Sequence, residues 1–192
     1  MTEVDDIPPD SGVPRILVDD ILVNFRLPHS SVHGPAHWAR VRLNGLLIAR
    51  ESGADLKVVE LFAFLQDSQR FDDGADLEHG PRAAEYALSK HGVLFDLEPR
   101  QLRALVAACR GHTRERLSDS VTVQTCWDAD RLDLFRVGIR PDRYYLGTPA
   151  ARSSELMRAA IVRSSRSAVH AIAGDHDLGE HHDHRPTDDP DC

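Results

Sequence analysis

A chain of 192 residues is long enough for one domain with a full core and short for two. Aromatic residues make up only 6% and the apolar mass is mostly Leu, Val and Ala, a composition that favours helices. The net charge of −8 sits at the ends: residues 1–13 carry −4 and residues 175–192 carry −6, leaving +2 on 14–174, which is no nucleic-acid footprint because it lacks a dense basic face.

Residues 1–13 are polar, with Pro8, Pro9 and Gly12, and are expected to form a disordered N-terminal segment. A first helix is predicted from Pro14, a proline suited to the first helical position, to Pro28. After the loop PHSSVHG, a second helix starts at Pro35, carries Val41, Leu43, Leu46, Leu47 and Ile48, and stops at Gly53. A third runs from Asp55 to Gln66-Asp67-Ser68. It is apolar almost all round its middle (Val58, Val59, Leu61, Phe62, Leu65), so it is expected to be central and buried. The stretch SQRFDDGADLEHG reads as a polar loop. A fourth helix is predicted from Pro81 to Gly92, a fifth that begins after Glu98-Pro99, reaches Cys109 and ends at Gly111, and a sixth over 119–136 with Val123, Trp127 and Leu134 inward. RPDRYYLGTP is a connector with room for one helical turn at 141–145, and a long last helix covers about 149–173. No alternating strand pattern persists, so the expected class is all-α, a compact helical bundle over 14–174. Residues 175–192 form an acidic tail with His176, His181, His182 and His184, expected to be disordered and solvated, with incidental affinity for metal.

The cysteines, Cys109, Cys126 and Cys192, show no CxxC spacing, so neither a disulfide framework nor a zinc knuckle is expected, and Cys109 and Cys126 read as small core residues. MTEVDDIPPD lacks the basic and apolar regions of a signal peptide, and no apolar run approaches the ~18–20 residues of a membrane span. A cytoplasmic protein with no membrane partner is expected. No phosphate loop or GxGxxG is present, and Ser30, Ser31 and Ser118 lack a nucleophile-elbow context. Trp38 and Trp127 read as core packing.

The polar residues that stand out are His37 in HWARV, Gln66-Asp67 in FLQDSQR, His79 in DLEHGPRAA, His112 in CRGHT and Asp130 in WDADRLD. Each falls at or near a predicted helix end. Imidazoles and carboxylates gathered from several helices make a site of N and O ligands for a hard divalent metal. Such an ion can turn water into a nucleophile near neutral pH. His33-Gly34-Pro35 and His79-Gly80-Pro81 share one pattern: proline suits the first helical turn, and a histidine just before a helix N-terminus is placed to meet an anion. The plainer reading, a good loop-to-helix entry, stands equally for His33.

This order of residues resembles the HD-domain superfamily of metal-dependent phosphohydrolases. The resemblance covers about 25–137 and rests on H-x-x-R-V, D-x-x-HG-x-x-A and ADRLD. It implies a helical bundle of HD-domain type. It implies a divalent ion (Mn, Fe, Mg, Co, Ni or Zn), held by His37, Asp67 and Asp130, with a second ion, in two-metal members, at His79 and His112. It implies Asp67 and Arg70 as catalytic residues, with Arg70 on the substrate phosphate; from their chemistry alone, Arg82 is expected to neutralise phosphate oxygens, as the weaker claim, and His33 to meet a phosphate at the start of its helix. The expected substrate is a small phosphomonoester or phosphodiester, plausibly a nucleotide; a homo-oligomer is left open. The departure is Gln66, which stands where the family's His-Asp doublet has histidine; an amide oxygen is a weaker metal ligand than imidazole. The alternative expectation is therefore a catalytically weakened HD domain, a sensor or protein-interaction module that binds a nucleotide or metal.

Overall fold

The computed structural model describes residues 12–174, with side chains to Ser165; the expectations for 1–11 and 175–192, Cys192 included, lie outside the described residues. The described chain is all-helical: α1 (Arg15–Asn24), α2 (Pro35–Ser52), α3 (Leu56–Leu65), α4 (His79–Lys90), α5 (Pro99–Gly111), α6 (Val121–Arg131) and α7 (Ser154–Gly174), with 3₁₀ turns at Leu134–Val137 and Arg143–Tyr145. No strand forms among the described residues beyond one isolated bridge, His91–Phe95. None of their helices is long and apolar enough to cross a membrane.

Local chemistry sets the helix ends. Pro35 opens α2, and Gly53 closes it at φ 73°, a left-handed conformation that glycine adopts without Cβ strain. Asp55 caps α3 by accepting from the Val58 N–H at 3.2 Å. Glu98 and Gln101 form a capping box at the start of α5, and Ser120 caps α6. Such caps are each worth about 1 kcal/mol. The last predicted helix begins later than expected, at Ser154. The sixth is shorter at both ends and gives way to the Leu134–Val137 turn. The predicted turn in 141–145 is present as a 3₁₀ segment.

Helix α3 is the axis of the fold. Every residue from Val58 to Leu65 is buried, and α2, α5 and α6 pack round it. Its one buried charge, Glu60, accepts from Arg42 Nε at 2.9 Å and from the Gly12 N–H at 2.9 Å. Val13 is also buried in the core. The folded body therefore includes Gly12 and Val13, the last two residues of the segment expected to be disordered. Close approach of α2 to α3 requires Gly45, where a Cβ would lie 2.5 Å from Val59 Cγ1. Helix α4 pairs with α5, and α7 lies against α2 and the Leu134–Val137 turn.

Cys109 and Cys126 are fully buried, and burial pushes the Cys109 thiol up to about 12, so neither is a reactive thiolate. Trp38 and Trp127 are core residues whose indole N–H groups donate to the carbonyls of His33 (2.7 Å) and Ala108 (3.0 Å). Buried Asp128, two residues before Asp130, accepts from the N–H and hydroxyl of Thr148 (both 2.7 Å) and from Gln124 (2.7 Å), fixing the connector to α6.

Candidate metal centre

Five helix ends meet at one place. His37 sits in the first turn of α2, Gln66 caps the end of α3 with Asp67 next, His79 opens α4, His112 follows α5, and Asp130 lies in the last turn of α6. The expected position of His79, just before a helix starting at Pro81, shifts by two residues: α4 starts at His79 itself, and Pro81 occupies the first turn, where a proline costs no helical hydrogen bond.

The structure brings these side chains together around Asp67. Asp67 Oδ2 lies 3.4 Å from His37 Nε2, and Asp67 Oδ1 lies 3.2 Å from His79 Nε2 and 3.8 Å from His112 Nε2. Asp130 Oδ1 is 3.3 Å from His37 Nε2. Gln66 Nε2 is 2.9 Å from the same nitrogen. All six residues are buried, Asp130 being the most accessible at 8%.

The histidine tautomers are fixed from behind. A carbonyl oxygen can only accept, so the nitrogen facing it carries the proton. His112 Nδ1–H donates to the Cys109 carbonyl at 2.8 Å, and His79 Nδ1–H donates to the Asp76 carbonyl. His37 Nδ1–H donates to Asp133 Oδ2 at 2.7 Å. Each ring thus turns its Nε2 inward. This is the arrangement of metal-binding histidines, whose outer N–H is held by a carbonyl or carboxylate. His79 Nε2 and His112 Nε2 stand 2.8 Å apart. Two lone pairs at that distance repel unless a cation lies between them. Burial and the neighbouring His112 push the His79 pKa down, which disfavours a bridging proton. Asp67 Oδ1 and Asp130 Oδ1 are buried oxygens without a hydrogen-bond partner, as is Gln66 Oε1. Orphaned buried acceptors facing imidazole lone pairs fit a divalent ion. Asp67, His79 and His112 each place one ligating atom within 4.8 Å of the others.

The electrostatics follow from burial among opposite charges. Burial alone would raise the Asp67 carboxyl, but His112 and His37 outweigh it and hold it well below the usual carboxylate range. Asp130 is depressed against burial by His37 and Arg136. Burial and Arg136 press the His37 imidazole down, yet Asp130, Asp133 and Asp67 raise it to about 9.

Arg70 joins the cluster. Its Nη1 lies 3.5 Å from Asp67 Oδ1 and against the His79 ring, 3.2 Å from Nδ1 and 3.4 Å from Nε2, while its other donors hold the Asp72 and Gly74 carbonyls. His33 stands at the edge, its ring 6.3 Å from that of His37 and its Nδ1 3.0 Å from Asp73 Oδ1. Arg82 is engaged elsewhere. It donates to the Gln69 carbonyl and to Asp76, which it holds down to about 2, and its guanidinium stacks 3.8 Å from the Phe71 ring. Its hydrogen bonds go to the 69–76 loop.

Three residues were not singled out in the sequence. Asp133 orients His37 and also accepts from Arg40 Nε (2.8 Å) and Ser164 Oγ (2.6 Å). Arg136 places Nη2 3.9 Å from Asp130 Oδ1 and donates to the Val32 carbonyl at 2.9 Å. Asp73 ties His33 and Ser31 of one loop to its own. For the first two a signal existed: Asp133 and Arg136 follow Asp130 at steps of three, which keeps them on its face of the helix and the turn after it.

Comparison with known protein families, curated proteins and solved structures found no match for this chain.

Proposed function

We propose that this chain is a metal-dependent phosphohydrolase of HD type acting on a small phosphomonoester or phosphodiester of the nucleotide class. The observation that supports this most is the set of inward-facing imidazole nitrogens around the buried Asp67 carboxylate, His79 and His112 at its orphaned Oδ1 and His37 at Oδ2. The residues that would hold an ion are Asp67, His79 and His112 on one side and His37 and Asp130 on the other. A divalent ion bound there lowers the pKa of water toward neutrality and offsets phosphate charge.

The remaining work falls to the chain's own residues. Asp67 stays ionised and can orient or accept a proton from the attacking water. Arg70 and Arg136 are buried or nearly buried cations on two sides of the cluster, placed to neutralise phosphate oxygens. The first turns of α2 and α4 meet at the cluster, where His37 and His79 both lie against Asp67, and the positive ends of the two helix dipoles favour an anionic ligand.

The test is a panel of phosphomonoesters and linear and cyclic nucleotides with Mn²⁺, Mg²⁺, Fe²⁺ or Co²⁺. Turnover that needs the ion and vanishes in Asp67→Ala supports the reading. Turnover that persists in Asp67→Ala refutes the mechanism. The hydrogen-bonded contact of Gln66 with His37 favours a second reading, a weakened HD domain that binds its ligand without hydrolysis. Tight nucleotide binding with no turnover across the panel, even in Gln66→His, selects that reading.

A further inference from the structure

We propose that this chain seats a single divalent ion on Asp67, His79 and His112, and that the Gln66 amide keeps His37 out of the coordination shell. The inference rests on the metal-dependent reading above. It departs from the ion position that the family resemblance implies, His37 with Asp67 and Asp130.

Gln66 decides the first half. Its amide nitrogen lies 2.9 Å from His37 Nε2, the one nitrogen of that ring not already bonded to Asp133. The amide has two orientations of equal shape. With the NH₂ toward His37, it donates to the neutral ring and takes its lone pair. With the oxygen toward His37, it accepts from the charged ring, which has no lone pair. Either way His37 Nε2 is engaged by Gln66. The amide cannot easily swing aside, because Gln66 is wholly buried and its backbone N–H continues α3 to the Phe62 carbonyl at 3.0 Å. A histidine at 66 could turn a lone pair into that space; glutamine supplies a hydrogen-bond partner instead.

The other half comes from how the two sides are built. His79 and His112 are pinned through Nδ1 to backbone carbonyls, and the one side-chain donor near their Nε2 atoms is Arg70 Nη1, 3.4 Å from His79 Nε2 against 2.9 Å for Gln66 on His37. Their spacing is set by the approach of α4 to α5 at Gly80, where a Cβ would lie 2.6 Å from the Cys109 carbonyl oxygen and 3.3 Å from His112 Cε1. The Asp67 carboxylate divides between the sides. Oδ2 faces His37, while Oδ1, the oxygen without a hydrogen bond, faces the His79–His112 pair. Each side has one arginine nearby, Arg70 at 3.5 Å from Asp67 Oδ1 and Arg136 at 3.9 Å from Asp130 Oδ1, so the difference between the sides rests on Gln66 and on the number of imidazoles.

The experiment uses the full chain with His176, His181, His182 and His184 each changed to Asn, so that tail imidazoles do not compete. Mn²⁺ is the probe. Calorimetric titration gives the stoichiometry, and pulsed electron paramagnetic resonance counts the ¹⁴N nuclei coupled to the ion. One ion with two coupled imidazole nitrogens is expected, because the His79–His112 side offers two and the His37 side one. His79→Gln and His112→Gln should each weaken Mn²⁺ at least ~10-fold, the scale of a lost ligand or ligand support. His37→Gln should change it less than threefold, and Gln66→His should raise the stoichiometry to two. One coupled nitrogen that disappears in His37→Gln overturns the inference, as does a parent chain that binds two ions or none. The nitrogen count needs no variant to fold. Because nothing here reads turnover, two coupled nitrogens in a protein that hydrolyses no phosphate ester would uphold this inference while the phosphohydrolase reading failed.

Discussion

Asp133→Ala should be among the most destabilising single changes in this protein. The carboxylate is 1% exposed and accepts from His37 Nδ1 (2.7 Å), Arg40 Nε (2.8 Å) and Ser164 Oγ (2.6 Å), so one side chain joins α2 to α7 behind the cluster. Ser164 would keep the Ala160 carbonyl at 3.0 Å, and Arg40 is only partly buried. The uncompensated loss therefore falls mainly on His37, a fully buried ring left with an unpaired N–H facing a cavity. Breaking a buried charged pair from one side costs about 3–5 kcal/mol. For a domain of this size each kcal/mol lowers Tm by roughly 2–4 °C, so a drop of about 6–20 °C is expected. Asp133→Asn keeps an acceptor of the same shape and should lose less. The assay is thermal unfolding by circular dichroism in chelator, so that ion binding does not contribute. An alanine variant melting within about 2 °C of the parent would show that the His37–Asp133 contact carries no stability and that His37 is not oriented this way.

Other outcomes follow from the same geometry. On the proposed phosphohydrolase reading, Arg70→Ala should weaken phosphate-ester binding by about 1.5–3 kcal/mol, the worth of a charge-assisted hydrogen bond, and steady-state kinetics should show it mainly in KM. Gly45→Ala places a Cβ against Val59 Cγ1 and should cost about 1–3 kcal/mol, read as a lower urea midpoint. A chain starting at residue 14 loses the buried Val13 side chain and the Gly12–Glu60 bond, so it should melt several degrees below one starting at residue 12; equal melting would mean the start of the chain does not pack as described. In chelator, His37 has a folded pKa of about 9 against an ordinary 6.5. Its raised value contributes stability that is fully present below pH 6.5 and lost as pH rises through 9, on the order of 3 kcal/mol. Urea titrations across that window should show the decline, and Asp133→Ala should flatten it.

The parts of the molecule legible in the sequence were those governed by local rules. Pro35, Gly53, Asp55 and Pro99 mark helix ends because each acts through the backbone beside it, and the apolar circumference of Val58–Leu65 marks the buried axis. His37, Asp67, His79, His112 and Asp130 could be gathered because all stand at helix ends that a bundle brings to one side. Less visible was what depends on distant partners. Asp133 looked like one more charge in ADRLD, and its meaning comes from His37, 96 residues earlier. Arg82 read as a cation for phosphate oxygens, and its contacts with Asp76 and Phe71, which tie it to the loop, depend on a fold the local sequence does not display. Val13 looked like part of a polar leader because its burial depends on the face of α3, not on its neighbours.

The claim at the centre of this account is that the Asp67 cluster holds a divalent ion. Anomalous diffraction from crystals grown with Zn²⁺ locates such an ion without reference to activity. The account predicts a peak about 2.0–2.2 Å from Asp67 Oδ1 and from the Nε2 atoms of His79 and His112. Crystals that bind Zn²⁺ elsewhere in the chain and show no peak within coordination distance of Asp67 would contradict it.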